Sequence, residues 1–468
     1  MKTLRTLRRD FKFPEGSIRI PNGKNAAEII TRNLINMNLI YFDGLSPYIK
    51  LTTHFHHIDA EETLTAFIRS LIHSDNRYKV SVKDIKESIA RIRDCMDLQI
   101  DFDNYFYKNQ YLINLKNGVY DIKQQKLLDH SIGYYFDYCL PFSYIPNEKR
   151  MLDTYRYFAE SSLGNENEKS VRIAIGYALS SLTNVKKAVV IIGPKNSAKS
   201  KILDLIERGT GQEYVKNNAF DKLGSERAIA SYTGGIRVNL SRDVKIGLIK
   251  EDDGFKSVIS CETINGRLLY KNEISVTPKV TCIAASNCFP QFKHADDASL
   301  DRIIAIKIQG YQGKIDPEFP DKLFAELDSI CSHAIDSLKE FIASGYDFKL
   351  SKESITLMEH ERAKLHTSEA FLNENYDFNN DSYVSSVELY RHYTDWCRDN
   401  AFEPVGKNTF YDTIKVNNPN ITYKKVPHGT GYVNGFYGVS RKCNYSNVLN
   451  DNSNKISECH DSELKEEI

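Results

Sequence analysis

Hydrophobic and polar positions follow different rhythms in different parts of the chain. Between about residues 183 and 310, short runs that are apolar throughout recur between polar and helical stretches: AVVII, IRVNL, KVTCIAAS and RIIAIKI. Runs of this kind predict strands buried on both faces, in a parallel sheet of an α/β domain. Just before them, residues 152–182 read as helix, and the second half, SVRIAIGYALSSL, is apolar enough to be packed inside. After them, residues 322–343 predict one amphipathic helix. From the N-terminus to about residue 150 the patterns are mixed, with Asn117-Gly118 predicting a turn after the strand-like YLINL. SKESITLMEHERAKLH predicts helix or linker.

The last part of the chain has its own pattern. Ser385 or Ser386 caps a helix whose Leu389, Tyr390, Tyr393 and Trp396 share one face, which predicts a core face. A second helix, GKNTFYDTIKV, follows Pro404, and ITYKKVPHGTGYVNGFYGVSRK predicts a hairpin. Helix, helix and basic hairpin together predict a winged helix-turn-helix. The tail after Asn444 is polar and predicts disorder. There is no internal repeat.

Composition narrows the picture. At 468 residues the chain is long enough for two to four domains, and 41% hydrophobic residues describe an ordinary globular protein. Its 62 basic and 62 acidic side chains cancel, so any affinity for nucleic acid must lie in local patches. One such patch is residues 404–442, where Lys407, Lys415, Lys424, Lys425, Arg441 and Lys442 stand against a single acid, Asp412. The nine cysteines are dispersed with no C-x-x-C pair, which argues for a reducing compartment and against structural zinc. The start, MKTLRTLRRDFKFPEG, lacks an apolar signal core, and no apolar run approaches membrane-spanning length. These features predict a cytoplasmic protein without a membrane partner.

The candidate chemistry begins at Gly193. Residues Gly193, Pro194, Lys195, Asn196, Ser197, Ala198, Lys199 and Ser200, with Lys201 following, fit G-x-x-x-x-A-K-S between a strand and a helix. In such a loop successive backbone N–H groups and the helix N-terminus surround phosphates, the lysine reaches the β/γ-phosphates and the serine hydroxyl ligates Mg²⁺. Ala198 stands where glycine is usual, and its β-carbon narrows the available backbone. The strand GGIRVNLSRDV ends in Asp243, which can hold Mg²⁺ or orient the attacking water; Asp252 and Asp253 are fallback acids. KVTCIAASNCFPQF delivers Asn287 to the end of another strand, and Arg302 opens RIIAIKI. Asp101 and Asp103 have the D-x-D spacing of a two-metal pair, but nothing around them looks like a nucleotidyl-transfer site.

Phosphate loop, acid after a short strand, Asn287 in Ser-Asn-x-x-Pro and Arg302, all within about 110 residues, resemble superfamily 3 helicases. The resemblance is closest to the phage, plasmid and poxvirus primase-helicase family, and includes replication initiators of mobile genomic islands. It extends upstream to YLINLKNGVYDIKQQKLLDHSIGYYFDYCLPFSYIP and downstream to SSVELYRHYTDWCRDN. It implies an AAA+-type P-loop ATPase that binds ATP and Mg²⁺ and forms a homo-hexameric ring travelling 3′ to 5′ on single-stranded DNA, with replisome partners. Lys199 and Ser200 then match the Walker A pair, Asp243 the Walker B acid, Asn287 the sensor and Arg302 a finger reaching the neighbouring subunit. Lys256 matches a motif lysine, and RLLYKNEIS a DNA-gripping hairpin with Lys271 near its tip and Arg267 behind it. Lys407, Lys415, Lys424 and Lys425 are the candidate DNA contacts of the winged helix.

The expected organisation is therefore an N-terminal pre-helicase domain (1–150), a helical collar (151–182), the ATPase (183–345), a linker (346–374), the winged helix (375–443) and a disordered tail (444–468). About one hundred unmatched residues at the start leave little room for a primase. Two other readings stay open: an ATP-binding initiator or scaffold that recognises DNA without unwinding it, and a different P-loop motor.

Overall fold

The structure is a computed structural model and describes residues 14–442 apart from 196, 198, 245–247, 268–272, 294–295, 312–315, 379–381 and 419; at 243 and 244 it describes the backbone only. The chain divides into two compact units between Glu359 and His360.

Among the described residues the first unit shows two hydrophobic cores. One, from Ile18 to Phe102, is built by helices Ala26–Met37, Glu61–Leu71 and Val82–Arg93 around an antiparallel meander of β1 (Ile40–Asp43), β2 (Ser46–Lys50) and β3 (Phe55–His57). The helix starts are written in the sequence: Asn25 accepts from the Glu28 N–H at 3.2 Å, and Ser81 and Asp84 form a capping box. The other core runs from Ile113 to Phe348, so the meander of β4 (Leu112–Leu115), β5 (Gly118–Asp121) and β6 (Lys126–Leu128) shares it with the parallel sheet. β4 and β5 close over Lys116 and Asn117, with Leu115 paired to Gly118.

Five parallel strands form the central sheet: β7 (Ala188–Ile192), β8 (Val215–Lys216), β9 (Val238–Val244), β13 (Thr281–Ser286) and β15 (Ile303–Lys307), in the order β15-β7-β13-β9-β8. Every residue of β7 and β13 is buried, as continuous apolar runs require. Helices Asn165–Leu179 and Lys199–Thr210 pack on the sheet, and helix Leu327–Asp336 packs on both. Between β9 and β13 come β10 (Leu248–Ile249), helix Asp252–Ile259 and the antiparallel pair β11 (Ile264–Arg267) and β12 (Glu273–Val276); β14 (Gln291–Phe292) pairs with β10.

The single helix expected over 322–343 is three: Phe319–Ala325, Leu327–Asp336 and Leu338–Ala343. Glu326 and Ser337 form the junctions at φ −90°, ψ 8° and φ −67°, ψ −17°, close enough to helical that the apolar rhythm survives the breaks. Glu326 also turns inward, its carboxylate accepting from the N–H groups of Thr154 (2.9 Å) and Tyr155 (3.0 Å).

The second unit gathers helices Thr367–Asn375, Ser386–Asp399 and Lys407–Asn417 on a three-stranded sheet in the order β17-β19-β18, from β17 (Tyr383–Ser385), β18 (Thr422–His428) and β19 (Gly431–Tyr437); β16 (Tyr376–Asp377) pairs with β20 (Ser440–Arg441). Ser385 is the cap, accepting from the Glu388 N–H at 3.2 Å. Leu389, Tyr393 and Trp396 are buried, and Tyr393 stacks on Phe410 at 4.2 Å. The aromatic face of this helix is core.

Candidate nucleotide site

Strand order decides what can meet. β7 delivers the candidate phosphate loop, β13 lies beside it and β9 beyond, so all three chain segments reach the carboxyl edge of the sheet next to one another. Ligands of open parallel sheets sit at that edge, where the order switches. The loop is tied to β13 at its first residue, the Gly193 N–H donating to the Ser286 carbonyl at 3.2 Å. Lys199 opens helix Lys199–Thr210 and is only 8% exposed. Its ammonium donates to the carbonyls of Gly193 and Pro194 (2.6 Å each), to Ser197 Oγ (3.0 Å) and to Asn287 Oδ1 (3.0 Å). The sequence-predicted lysine and polar amide, 88 residues apart, are thus in contact.

Ser200 is exposed in the first helical turn, Lys195 is exposed in the loop, and Lys201 lies 3.8 Å from Asp204. Asn196 and Ala198 lie outside the described residues, as does the side chain of Asp243. The Asp243 backbone belongs to β9, where Val244 pairs with Ser286, so its position is at the same edge as Asn287, one strand away or roughly 5 Å. Asp252 and Asp253 open helix Asp252–Ile259, which follows β10 in the chain.

Arg302 is at the other edge. It precedes β15, its carbonyl accepts from the Ala188 N–H at 2.7 Å, and Ala188 begins the strand that ends at the phosphate loop. Five residues of strand, roughly 16 Å, separate the two ends. The guanidinium is held by Ser260 Oγ (3.0 Å) and the Ala298 carbonyl (2.7 Å). Lys256, one turn before Ser260, bridges Asp253 (3.1 Å) and Asp296 (3.2 Å), and both carboxylates hold its ammonium pKa up. Arg267 is exposed and pairs with Glu273 in the last described step of β11 and β12, while Lys271 lies outside the described residues. The D-x-D is structural: Asp101 caps helix Phe102–Lys108 and Asp103 pairs with Lys279.

In the second unit, Lys407 and Lys415 project from helix Lys407–Asn417, and Lys424 and Lys425 from β18. Lys415 is engaged with Asp412 at 2.7 Å, and Lys424 lies 4.1 Å over the Tyr437 ring. β18 and β19 close over Gly429 and Thr430, with His428 opposite Gly431.

Sequence reasoning missed β8, whose two residues carry no periodicity, and Arg237. That arginine is 4% exposed, donates to the Ser180 carbonyl (3.0 Å) and Ser181 Oγ (2.6 Å), and lies 3.7 Å over the Tyr138 ring. Inside an apolar run it reads as a strand residue only.

Residues 30–163 match the family model "D5 N terminal like", and residues 366–434 match the RFX DNA-binding domain. "Putative helicase L207/L206" of Acanthamoeba polyphaga mimivirus is 23% identical over 229 residues, which are 46% of this chain. The match spans about a quarter (24%) of the length of that curated relative. Among solved structures, the apo NrS-1 C-terminal region (305–718) superposes with a TM-score of 0.50 at 12% identity, over 90% of this chain and 100% of that one. Its A form gives 0.48 at 11% identity, over 87% and 98%. At such identity the likeness is one of fold. The chain is thus a mixed α/β protein with a parallel sheet and a C-terminal winged-helix DNA-binding domain. Among the described residues no helix is long and apolar enough to cross a membrane.

Proposed function

We propose that the protein is an ATP-dependent DNA helicase of the helicase-primase kind, with a superfamily 3, AAA+-type motor. The observation that carries the reading is Lys199 in contact with Asn287 at the carboxyl edge of a β15-β7-β13-β9-β8 sheet. The viral helicase relative, the D5-like match and the DNA-binding domain point the same way.

The residues present fit a nucleotide with Mg²⁺. A buried ammonium held by carbonyl, hydroxyl and amide oxygens is a cation prepared to exchange those partners for phosphate oxygens. Ser200 and Asp243 would hold the Mg²⁺, which neutralises charge on the β- and γ-phosphates when bound. Lys199 binds and orients the triphosphate. Asn287, freed as Lys199 turns to phosphate, would position the attacking water. Arg302 sits at the opposite edge of its own sheet, so we assign it to the site of a neighbouring subunit, in a ring read as a hexamer. The wing and Lys407–Asn417 helix bind duplex DNA, which would make the protein an initiator that recognises its origin. Travel 3′ to 5′ and a phage, plasmid or mobile-island setting follow from the superfamily 3 resemblance.

The test is ATP hydrolysis with and without single-stranded DNA, Lys199→Ala alongside. DNA-stimulated turnover that disappears in the variant is expected. ATP binding without any DNA-stimulated turnover in the wild type would overturn the motor reading in favour of an initiator that binds and does not unwind.

A further inference from the structure

Beside the phosphate loop stand two tyrosines that the motifs do not account for. β15 continues into residues 308–311, which pass between the loop and the π-helical turn Ala159–Leu163. The Ile308 N–H donates to the Ile192 carbonyl at 2.8 Å, and the Gly310 N–H donates to the Ser162 carbonyl at 3.1 Å. Gly310 has φ +96°, and a Cβ there would lie 2.9 Å from Pro194 Cγ and 3.2 Å from Ser197 Cβ. Only glycine permits this approach. The next residue, Tyr311, is thereby fixed at the rim of the loop, with its hydroxyl 3.3 Å from that of Tyr157.

Tyr157 is 50% exposed, although its ring also meets Phe319 edge-on, with centroids 6.2 Å apart and planes at 64°. Phe319 begins helix Phe319–Ala325, and the same helix meets the first turn of the phosphate-loop helix, where Lys201 Nζ lies 5.8 Å over the Phe324 ring. A lone exposed tyrosine is an ordinary surface residue. Here two are held together, by their hydroxyls and by Gly310, beside the candidate phosphate loop.

We propose that Tyr157 and Tyr311 form the base subsite of the nucleotide site, taking the face of a purine ring while the loop holds the triphosphate. The inference rests on the nucleotide reading above. A loop that contacts phosphate through main chain and one cation has no means of distinguishing a nucleotide from bare polyphosphate; that distinction has to come from beside it. Aromatic faces supply it, and because every base has a π-face they discriminate weakly among bases. ATP and GTP are expected to bind alike.

The experiment is competition against a fluorescent ATP analogue on the full chain with Mg²⁺, using ATP, GTP and inorganic tripolyphosphate. ATP and GTP should agree within about threefold, and both should bind about 10-fold or more tightly than tripolyphosphate. Tyr157→Ala and Tyr311→Ala should each weaken ATP about 10-fold and leave tripolyphosphate unchanged, while Tyr157→Phe keeps ATP binding. Alanine variants that bind ATP like the wild type would overturn the subsite and leave the phosphate loop standing. Loss of ATP and tripolyphosphate together would equally overturn it, since the tyrosines would then be supporting the loop. Wild type that binds neither probe removes the nucleotide reading and this inference with it.

Discussion

Lys199 Nζ and Asn287 Oδ1 lie 3.0 Å apart at the carboxyl edge of the central sheet. The contact makes Asn287 report on whether the lysine is engaged with the chain or with a ligand. Asn287→Ala is expected to bind nucleotide within a few-fold of wild type and to lose about 100-fold in turnover, the scale seen when one preorganised polar group is removed. Steady-state ATPase set beside equilibrium nucleotide binding separates the two; an equal loss in both would make Asn287 a support for the loop only.

Arg302 and the phosphate loop occupy opposite edges of one sheet, so one chain cannot bring them together through β7. Arg302→Ala and Lys199→Ala should each be inactive alone and regain ATPase when mixed, as interfaces with one intact loop and one intact arginine form. Mixtures that stay inactive at every ratio would count against a shared site.

Lys424 and Lys425 lie on one strand of the wing. Replacing both with alanine should weaken duplex binding and reduce the slope of log K against log salt by about 2, close to one per phosphate contact. Titrations at several salt concentrations give the slope, and an unchanged slope would take the wing off the phosphate backbone. Lys415→Ala should matter less, because Asp412 already engages that ammonium at 2.7 Å.

Asp336 fastens the sheet's helical cover to the β4–β6 meander. It accepts from Arg150 at 2.5 Å, from Tyr144 at 3.3 Å and from Tyr120, and the Arg150 side chain is 2% exposed. Asp336→Ala would leave that guanidinium buried without its carboxylate and should destabilise the first unit by about 3 kcal/mol, measurable by denaturant unfolding. A loss under about 1 kcal/mol would mean water reaches Arg150 and replaces the pair.

His333, on the same helix, is held neutral: burial first, then the charge of Arg172, lowers its pKa to about 4. The folded value is depressed below the usual 6.5, so protonation favours the unfolded chain. Its contribution is complete above pH 6.5 and falls away as pH drops toward 4. Melting temperatures between those pH values should decline, less steeply for His333→Gln; parallel declines would assign the acid sensitivity to other groups.

The parallel strands were legible because burial on both faces leaves an unbroken apolar run, and so was the strand–loop–helix around Lys199, because an apolar strand and an amphipathic helix flank the loop. The D-x-D, discounted in the sequence for want of a nucleotidyl-transfer setting, takes roles that its spacing also suits: Asp101 caps a helix and Asp103 makes an ion pair. What sequence periodicity cannot convey is contact between distant segments. Nothing in YRYF or IQGY says that Tyr157 and Tyr311 meet, and Gly310 looks like any loop glycine until Pro194 is seen against it.

The π-helical turn Ala159–Leu163 gives this arrangement a phase. Such a turn carries one residue more than an α-helix allots, and it lies between Tyr157 and the helix that anchors to the sheet. Removing a single residue there would advance the preceding helix by about 100°, like a screw stopped a quarter-turn early. Tyr157 would swing off the rim, and the N–H groups of Thr154 and Tyr155 would leave Glu326 behind. In this stretch, chain length acts as the dial that aims a side chain.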